Sequence, residues 1–275
     1  MERKASLFLA PGVILLGASL LASFWPGLLS PYDPRASFEP YLPPSSAHRL
    51  GTNDVGYDIF TELVYAARVS LAVGVLSATT SVAIGTIVGT LAGYSQGTLG
   101  AVLTGLIDTV LLIPMLPLLI TLAAYLGPSI TGIVLLISAL GWCSTARAVR
   151  ARVMQLRALP FVEALTSLGI GARQIIFRHI IPNTQEVVTA KFVLAVAWAM
   201  LSEASLSFMG LGDPSAITWG SMMHFAFRRG GFIRGMFHWL IPPGVCIALC
   251  AMAFVFIGLY LESRQAGPSD DLILR

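Results

Sequence analysis

The sequence predicts an all-α, polytopic membrane protein with six transmembrane helices. Three observations carry that expectation. Of 275 residues, 56% are hydrophobic and only 11% charged, where a soluble domain carries about a quarter charged residues. The apolar runs recur along the whole chain rather than in one anchor. The alternating pattern of a membrane barrel is missing, which leaves helices as the way for each span to satisfy its own backbone hydrogen bonds in lipid.

The runs fall at 7–29, 69–93, 100–126, 129–147, 185–208 and 237–261, each long enough to cross a hydrocarbon core ~30 Å thick as a helix. The first follows Arg3 and Lys4 and stays apolar for over twenty residues. That exceeds the ~7–15-residue core of a cleaved signal peptide, so a retained first span is expected. The second run places Ser77, Ser81, Gly85, Gly89 and Gly93 at every fourth position, a flat face along which another helix can approach closely. Pro114 and Pro117 in the third run, and Pro11 and Pro26 in the first, remove backbone donors and are expected to bend or end their helices.

Orientation follows from charge. Residues 143–183 hold Arg147, Arg150, Arg152, Arg157, Arg173 and Arg178 against one acid, Glu163, which marks this loop as cytoplasmic. Counting outward puts both termini inside, in keeping with Arg3, Lys4 and Arg264, and 30–68 and 209–236 outside, although Arg228, Arg229 and Arg234 in the second outer loop run against the rule. The net charge of +3 therefore reads as topology, and no nucleic-acid partner is expected. The expected division is an N-terminal transmembrane anchor at 1–30, an extracytoplasmic segment at 31–68, a transmembrane domain at 69–261 that includes the loop 159–183, and a cytoplasmic tail at 262–275.

Chemistry within the chain is not expected. Cys143, Cys246 and Cys250 lack metal-ligand spacing or a disulfide framework and read as packing residues. His48, His179, His224 and His238 lie in loops or at span ends, so neither a catalytic set nor a metal site is predicted. The two lysines, Lys4 and Lys191, precede Ala5 and Phe192, so the chain holds no phosphate-cradling GxxxxGK[ST] loop. Charges in or near spans still need an account, since each costs at least ~2.5 kcal/mol on insertion scales. Asp108, Glu186, Lys191 and Glu203 are the cases. For Asp108 and Glu203 two readings stand: groups facing a pathway or its outer gate, beside the kink at Pro114, or groups bonded between helices.

Residues 159–183 read LPFVEALTSLGIGARQIIFRHIIPN. Phe161, Ala164, Leu165 and Leu168 share one face of a short predicted helix, Gly169 and Gly171 break it, and Ile175, Ile176 and Ile180 open a second apolar face before Pro182. A short amphipathic helix at the membrane surface can dock in a groove of a soluble partner.

This segment resembles the EAA loop of ABC importer permeases: Glu163, Ala164, a small-residue stretch, Gly169, then twelve residues to Pro182. It departs in having Leu165 for the second alanine and Ile181 for the usual leucine. The likeness extends from about Tyr32 to Leu259 through HRLGTNDVGYDIF at 48–60, YAARVSLAVG at 65–74, GW with Ala146, Arg147, Val149 and Arg150, and LSEASLSFMGLG at 201–212 followed by Trp219 and Gly220. These pieces look like the C-type permease subunit of dipeptide, oligopeptide and nickel importers. Arg49, Asn53 and Tyr57 stand where that family usually has Pro, Asp and Arg.

The resemblance implies a type I ABC importer permease fold in the cell membrane, forming half of a translocation pathway. Its loop would form a coupling helix, with Phe161, Glu163, Ala164, Leu165, Leu168, Gly169 and Pro182 serving an ATPase. Implied partners are a homologous second permease, two ATPase subunits that bind ATP and Mg, an extracytoplasmic solute-binding protein and the lipid bilayer; the chain itself carries no cofactor. Gly51, Asp54, Asp58, Gly210, Gly212 and Trp219 are the docking candidates on the outer side. Di- or oligopeptides are the first expected substrate and nickel or a metal chelate the alternative. A secondary carrier is disfavoured, because no internal repeat is visible.

Overall fold

A computed structural model describes residues 2–265, with side chains for 9–262. Its elements are α1 (Glu2–Phe24), α2 (Pro26–Leu29), α3 (Ile59–Tyr94), α4 (Thr98–Leu112), α5 (Met115–Leu126), α6 (Ile130–Arg157), α7 (Pro160–Ser167), α8 (Ala172–Ile175), α9 (Gln185–Phe208), α10 (Trp219–Arg228) and α11 (Phe237–Gln265). A π turn at Ile176–Ile180 and a 3-10 turn at Pro182–Thr184 join α8 to α9. Among the described residues, extended pairing is limited to two isolated bridges, Ser37 with Tyr57 and Thr52 with Asp58.

The second helix begins ten residues earlier than the hydropathy suggested, at Ile59 instead of 69. The cause is a cap: Asp58 accepts hydrogen bonds from the Thr61 N–H and hydroxyl, both at 2.7 Å, satisfying donors that the first turn would otherwise leave open. At 36 residues α3 is ~54 Å long. It outruns a bilayer core of ~30 Å. The fourth expected span likewise continues unbroken from 147 to Arg157.

The small residues of α3 lie against α6. A Cβ added at Gly85, Gly89 or Gly93 would come within 2.6, 2.5 and 2.7 Å of the carbonyl oxygens of Trp142, Ala146 and Arg150. Ser77 and Ser81 complete the buried row, and Ser138 Oγ donates to the Ser77 carbonyl at 3.4 Å. Larger side chains here would hold the two backbones apart, so the sequence pattern sets the helix spacing directly.

The third run is not one helix. α4 and α5 meet at an angle of 85°, with Ile113 and Pro114 both extended (ψ 132° and 108°). Pro114 has no N–H to continue the ladder of α4, whereas Pro117 sits in the first turn of α5, where no intrahelical donor is needed. Helices of 15 and 12 residues are ~22 and ~18 Å long, too short to cross singly.

Among the described residues four helices are therefore long and apolar enough to cross a membrane, and the bent pair makes a fifth if it counts as one span. The described apolar stretch of the first helix, Leu9–Phe24, falls below that length, so six crossings do not follow from length and composition. α1 continues through Pro11 and ends before Pro26, the first residue of α2. It packs mainly on α11, where a Cβ on Gly12 would meet the Ala253 carbonyl at 3.1 Å.

Candidate functional site

Two regions of this chain carry groups that packing alone does not explain, and they sit at opposite ends of α3. At the Tyr94 end, Val149, Val153 and Leu156 of α6 form a buried cluster with Val162, Ile175 and Ile180, against which Tyr94, Leu165, Ile170 and Val188 pack. This cluster clamps α7 to the bundle.

Pro160 opens α7 at a position that needs no donor. At its end Gly169 takes φ +77°, its N–H reaching the Thr166 carbonyl at 3.0 Å while the Ile170 N–H reaches that of Leu165 at 3.1 Å. This paired closure is a Schellman motif, and its left-handed residue favours glycine. Val162 is 3% exposed and points inward. Phe161 at 40% and Leu168 at 78% point outward, with Glu163 and Ala164 also exposed. Leu165, expected on the same face as these, is half-buried on the inner side. Pro182 is exposed at the start of the 3-10 turn, and the ring of Phe161 lies 6.3 Å from that of His179. A clamped helix thus presents Phe161, Ala164 and Leu168, spaced i, i+3 and i+7, on an exposed face, with Phe161 edged by His179.

The Ile59 end is finished differently. Asp58 takes His48 Nδ1 on its second oxygen at 2.9 Å. Asn53 accepts the N–H groups of Val55 and Tyr57, each at 2.9 Å, and donates to Glu62 at 2.9 Å. Arg229 pairs with Asp54, and Arg35 donates to the Ser215 carbonyl at 2.8 Å, tying the segment 30–58 to the loop after α9. In that loop the Ser215 hydroxyl and N–H donate to Asp213 and hold its carboxyl below its ordinary value. Trp219 is 3% exposed, its N–H bonded to Ser70 Oγ at 3.1 Å and its indole to the Leu63 carbonyl at 2.9 Å.

Of the six outer candidates, Gly51, Asp58 and Trp219 are buried, while Asp54, Gly210 and Gly212 reach the surface in part. Gly51 (φ +71°) would set a Cβ 2.2 Å from the Leu42 carbonyl, and Gly212 one 2.4 Å from Ser207 Oγ. What these residues do here is hold the shape that a partner would meet.

Glu203, buried in α9 near this end, accepts the Ser207 hydroxyl at 2.7 Å. Asp108 lies toward the opposite end, exposed and paired with Arg147 at 2.7 Å. Pro114 marks the break between α4 and α5, beside a cavity of about 360 Å³ bounded by Leu111, Met115, Ser144, Lys191 and Trp198. Lys191 also approaches Glu262 at 3.9 Å. Among the described residues no group of three or more metal-ligating side chains gathers. The three cysteines are free thiols.

A bundle of long apolar helices, with a short helix clamped at one end and partly exposed, defines a polytopic membrane protein. The chain belongs to the family of binding-protein-dependent transport system inner membrane components, which matches residues 85–266. It is similar to the dipeptide transport system permease protein DppC of Bacillus subtilis, 33% identical over 261 residues that cover 93% of this chain and 80% of that protein. It is also similar to the glutathione transport system permease protein GsiD of Pectobacterium atrosepticum, 32% identical over 253 residues, 90% and 83% of the two chains. A third relative, the oligopeptide transport system permease protein OppC of Bacillus subtilis, is 32% identical over 214 residues, 77% and 70%. The chain is accordingly a transport component of the membrane and not itself a catalyst.

Proposed function

We propose that this chain is the permease subunit of an ATP-driven importer of di- or oligopeptides, forming half of the pathway with a homologous second permease. Two ATPase subunits bind ATP and Mg, and a solute-binding protein outside delivers the peptide. The peptide assignment draws on the relatives, whose names include dipeptide, oligopeptide and glutathione permeases. The observation that carries the coupling role is the exposed face of Phe161, Ala164 and Leu168 on a helix clamped to α6, a shape suited to a groove of a soluble protein.

In this reading α1 makes the sixth crossing, 1–30 is the anchor and 31–68 with 209–236 form the extracytoplasmic surface. Both termini and the loop 159–183 are cytoplasmic, the tail from 262 among them. Asp54, Gly210 and Gly212 would lie on the surface met by the binding protein, over the buried Gly51, Asp58 and Trp219. Closure of the ATPases on ATP moves α7, and the bundle rocks between outward and inward access.

The test replaces Leu168, which touches little of its own chain. Leu168→Asp should leave the subunit in the membrane at its normal level and lower ATP-dependent uptake of a labelled dipeptide by at least tenfold in proteoliposomes holding the whole transporter. Unchanged uptake would remove the coupling role. Uptake of Ni²⁺ but not peptide by the unaltered transporter would replace the substrate assignment and leave the coupling role standing.

A further inference from the structure

Beside α7, but on the other flank of α6, a cleft of about 520 Å³ opens between the end of α3, the start of α4 and the last turns of α6. Gly97, Gly100, Asp108, Arg150, Met154 and Arg157 line it. Its charge is positive. Arg147 is matched by Asp108, but Arg150 makes no ion pair or hydrogen bond among the described residues, and its Nε is buried without an acceptor. Arg157 gives one bond, from Nη1 to the Tyr94 carbonyl at 3.2 Å. Each guanidinium has five N–H donors in a fork that suits phosphate, so most of this capacity is unspent.

One further feature points to the same ligand charge. The N-cap of α4 is Gly97, at φ +73°, which offers no side chain to the first N–H groups of a 15-residue helix. Those groups and the helix dipole favour an anion at this spot.

We propose that this cleft binds the phosphodiester of an anionic phospholipid, with Arg150 and Arg157 on the phosphate. A basic pocket between helices at the membrane surface is a recurrent setting for such headgroups. The proposal needs only a bilayer around the bundle and is independent of the importer reading.

The experiment titrates the full chain, purified in mild detergent, with dioleoyl phosphatidylglycerol, dioleoyl phosphatidylcholine or inorganic phosphate and counts bound species by native mass spectrometry. The unaltered chain should retain phosphatidylglycerol at least fivefold over phosphatidylcholine, and Arg150→Gln with Arg157→Gln should bring the two level. Ala101→Glu, on the exposed rim, should do the same without touching the packed interior, and Arg228→Gln, in α10 at the other end of α3, should change nothing. Equal retention of both lipids by the unaltered chain overturns the proposal, as does phosphatidylglycerol held by the rim and cleft variants. Binding of inorganic phosphate without lipid preference also overturns it. So does loss of the ATPase partner by cleft variants whose lipid binding is intact, which would make the cleft a protein contact.

Discussion

The two ends of α3 are built on opposite principles. At the Ile59 end, polar groups close on one another within the chain: His48, Asp58, Thr61, Asn53 and Glu62 form a buried hydrogen-bonded set, and Trp219 is pinned by two bonds to α3. At the Tyr94 end the clamp is apolar, and both polar and apolar groups are left facing outward. Buried polar sets stabilise only when every member is met, since each orphaned group costs ~1–3 kcal/mol. Apart from Asp54 Oδ1, which is buried without a hydrogen-bond partner, the first end is closed within the chain, and the second leaves Phe161, Ala164 and Leu168 exposed.

The largest effect expected from breaking this contrast lies between the ends, where the seam holds them in register. Gly89→Leu would force side-chain atoms into the Ala146 backbone, already 2.5 Å from an added Cβ. Because backbone cannot yield as a flexible side chain does, a loss of about 3 kcal/mol or more is expected, seen as failure to accumulate in membranes or early thermal unfolding in detergent. Normal accumulation and melting would show that α3 and α6 can separate.

A middle-sized effect is expected from Asp58→Ala, which removes the cap of α3 and the partner of His48 together. About 1–3 kcal/mol should be lost locally, read as faster protease cleavage within 30–58 while α7 keeps its protection. Equal exposure at both ends would mean that they are not separately stabilised. Asp108→Asn should have the smallest effect, under ~1 kcal/mol, since both members of that pair are more than half exposed. A large drop in melting temperature would place the pair in a drier setting than the isolated chain shows.

How much of this was legible in the sequence depended on whether the cause was local. The seam was, because small residues in register leave a direct mark and their partner needs only to be another helix. The presence of α7 and its end at Gly169 were also legible, from apolar spacing followed by glycine. Its inner face was not: Val162 went unremarked and Leu165 was set with the outer residues, because a stripe of four apolar positions does not say which side the bundle will claim.

The reach of α3 beyond the apolar run at 69–93 was not legible for a related reason. Residues 59–68 carry Glu62 and Arg68, which hydropathy scores as non-spanning, and the group that makes them helical is the Asp58 carboxylate, whose worth shows only once Thr61 and His48 are beside it. Proline at 114 announced a bend, but its size depends on Ile113 also leaving the helix, which no residue type there requires. Pairings such as Asp108 with Arg147, 39 positions apart, and the cleft around Arg150, belong to the packing and leave no local trace.

α3 itself, capped at Asp58 and helical without a break to Tyr94, has a mechanical consequence. Continuous hydrogen bonding along ~54 Å makes it a push rod: a tilt of about 5° pivoted at one end sweeps the other through ~5 Å, roughly the rise of one helical turn. With no proline or other break along its length to absorb the motion, whatever grips the chain beside Tyr94 has a stiff mechanical connection to the folded segment in front of Ile59.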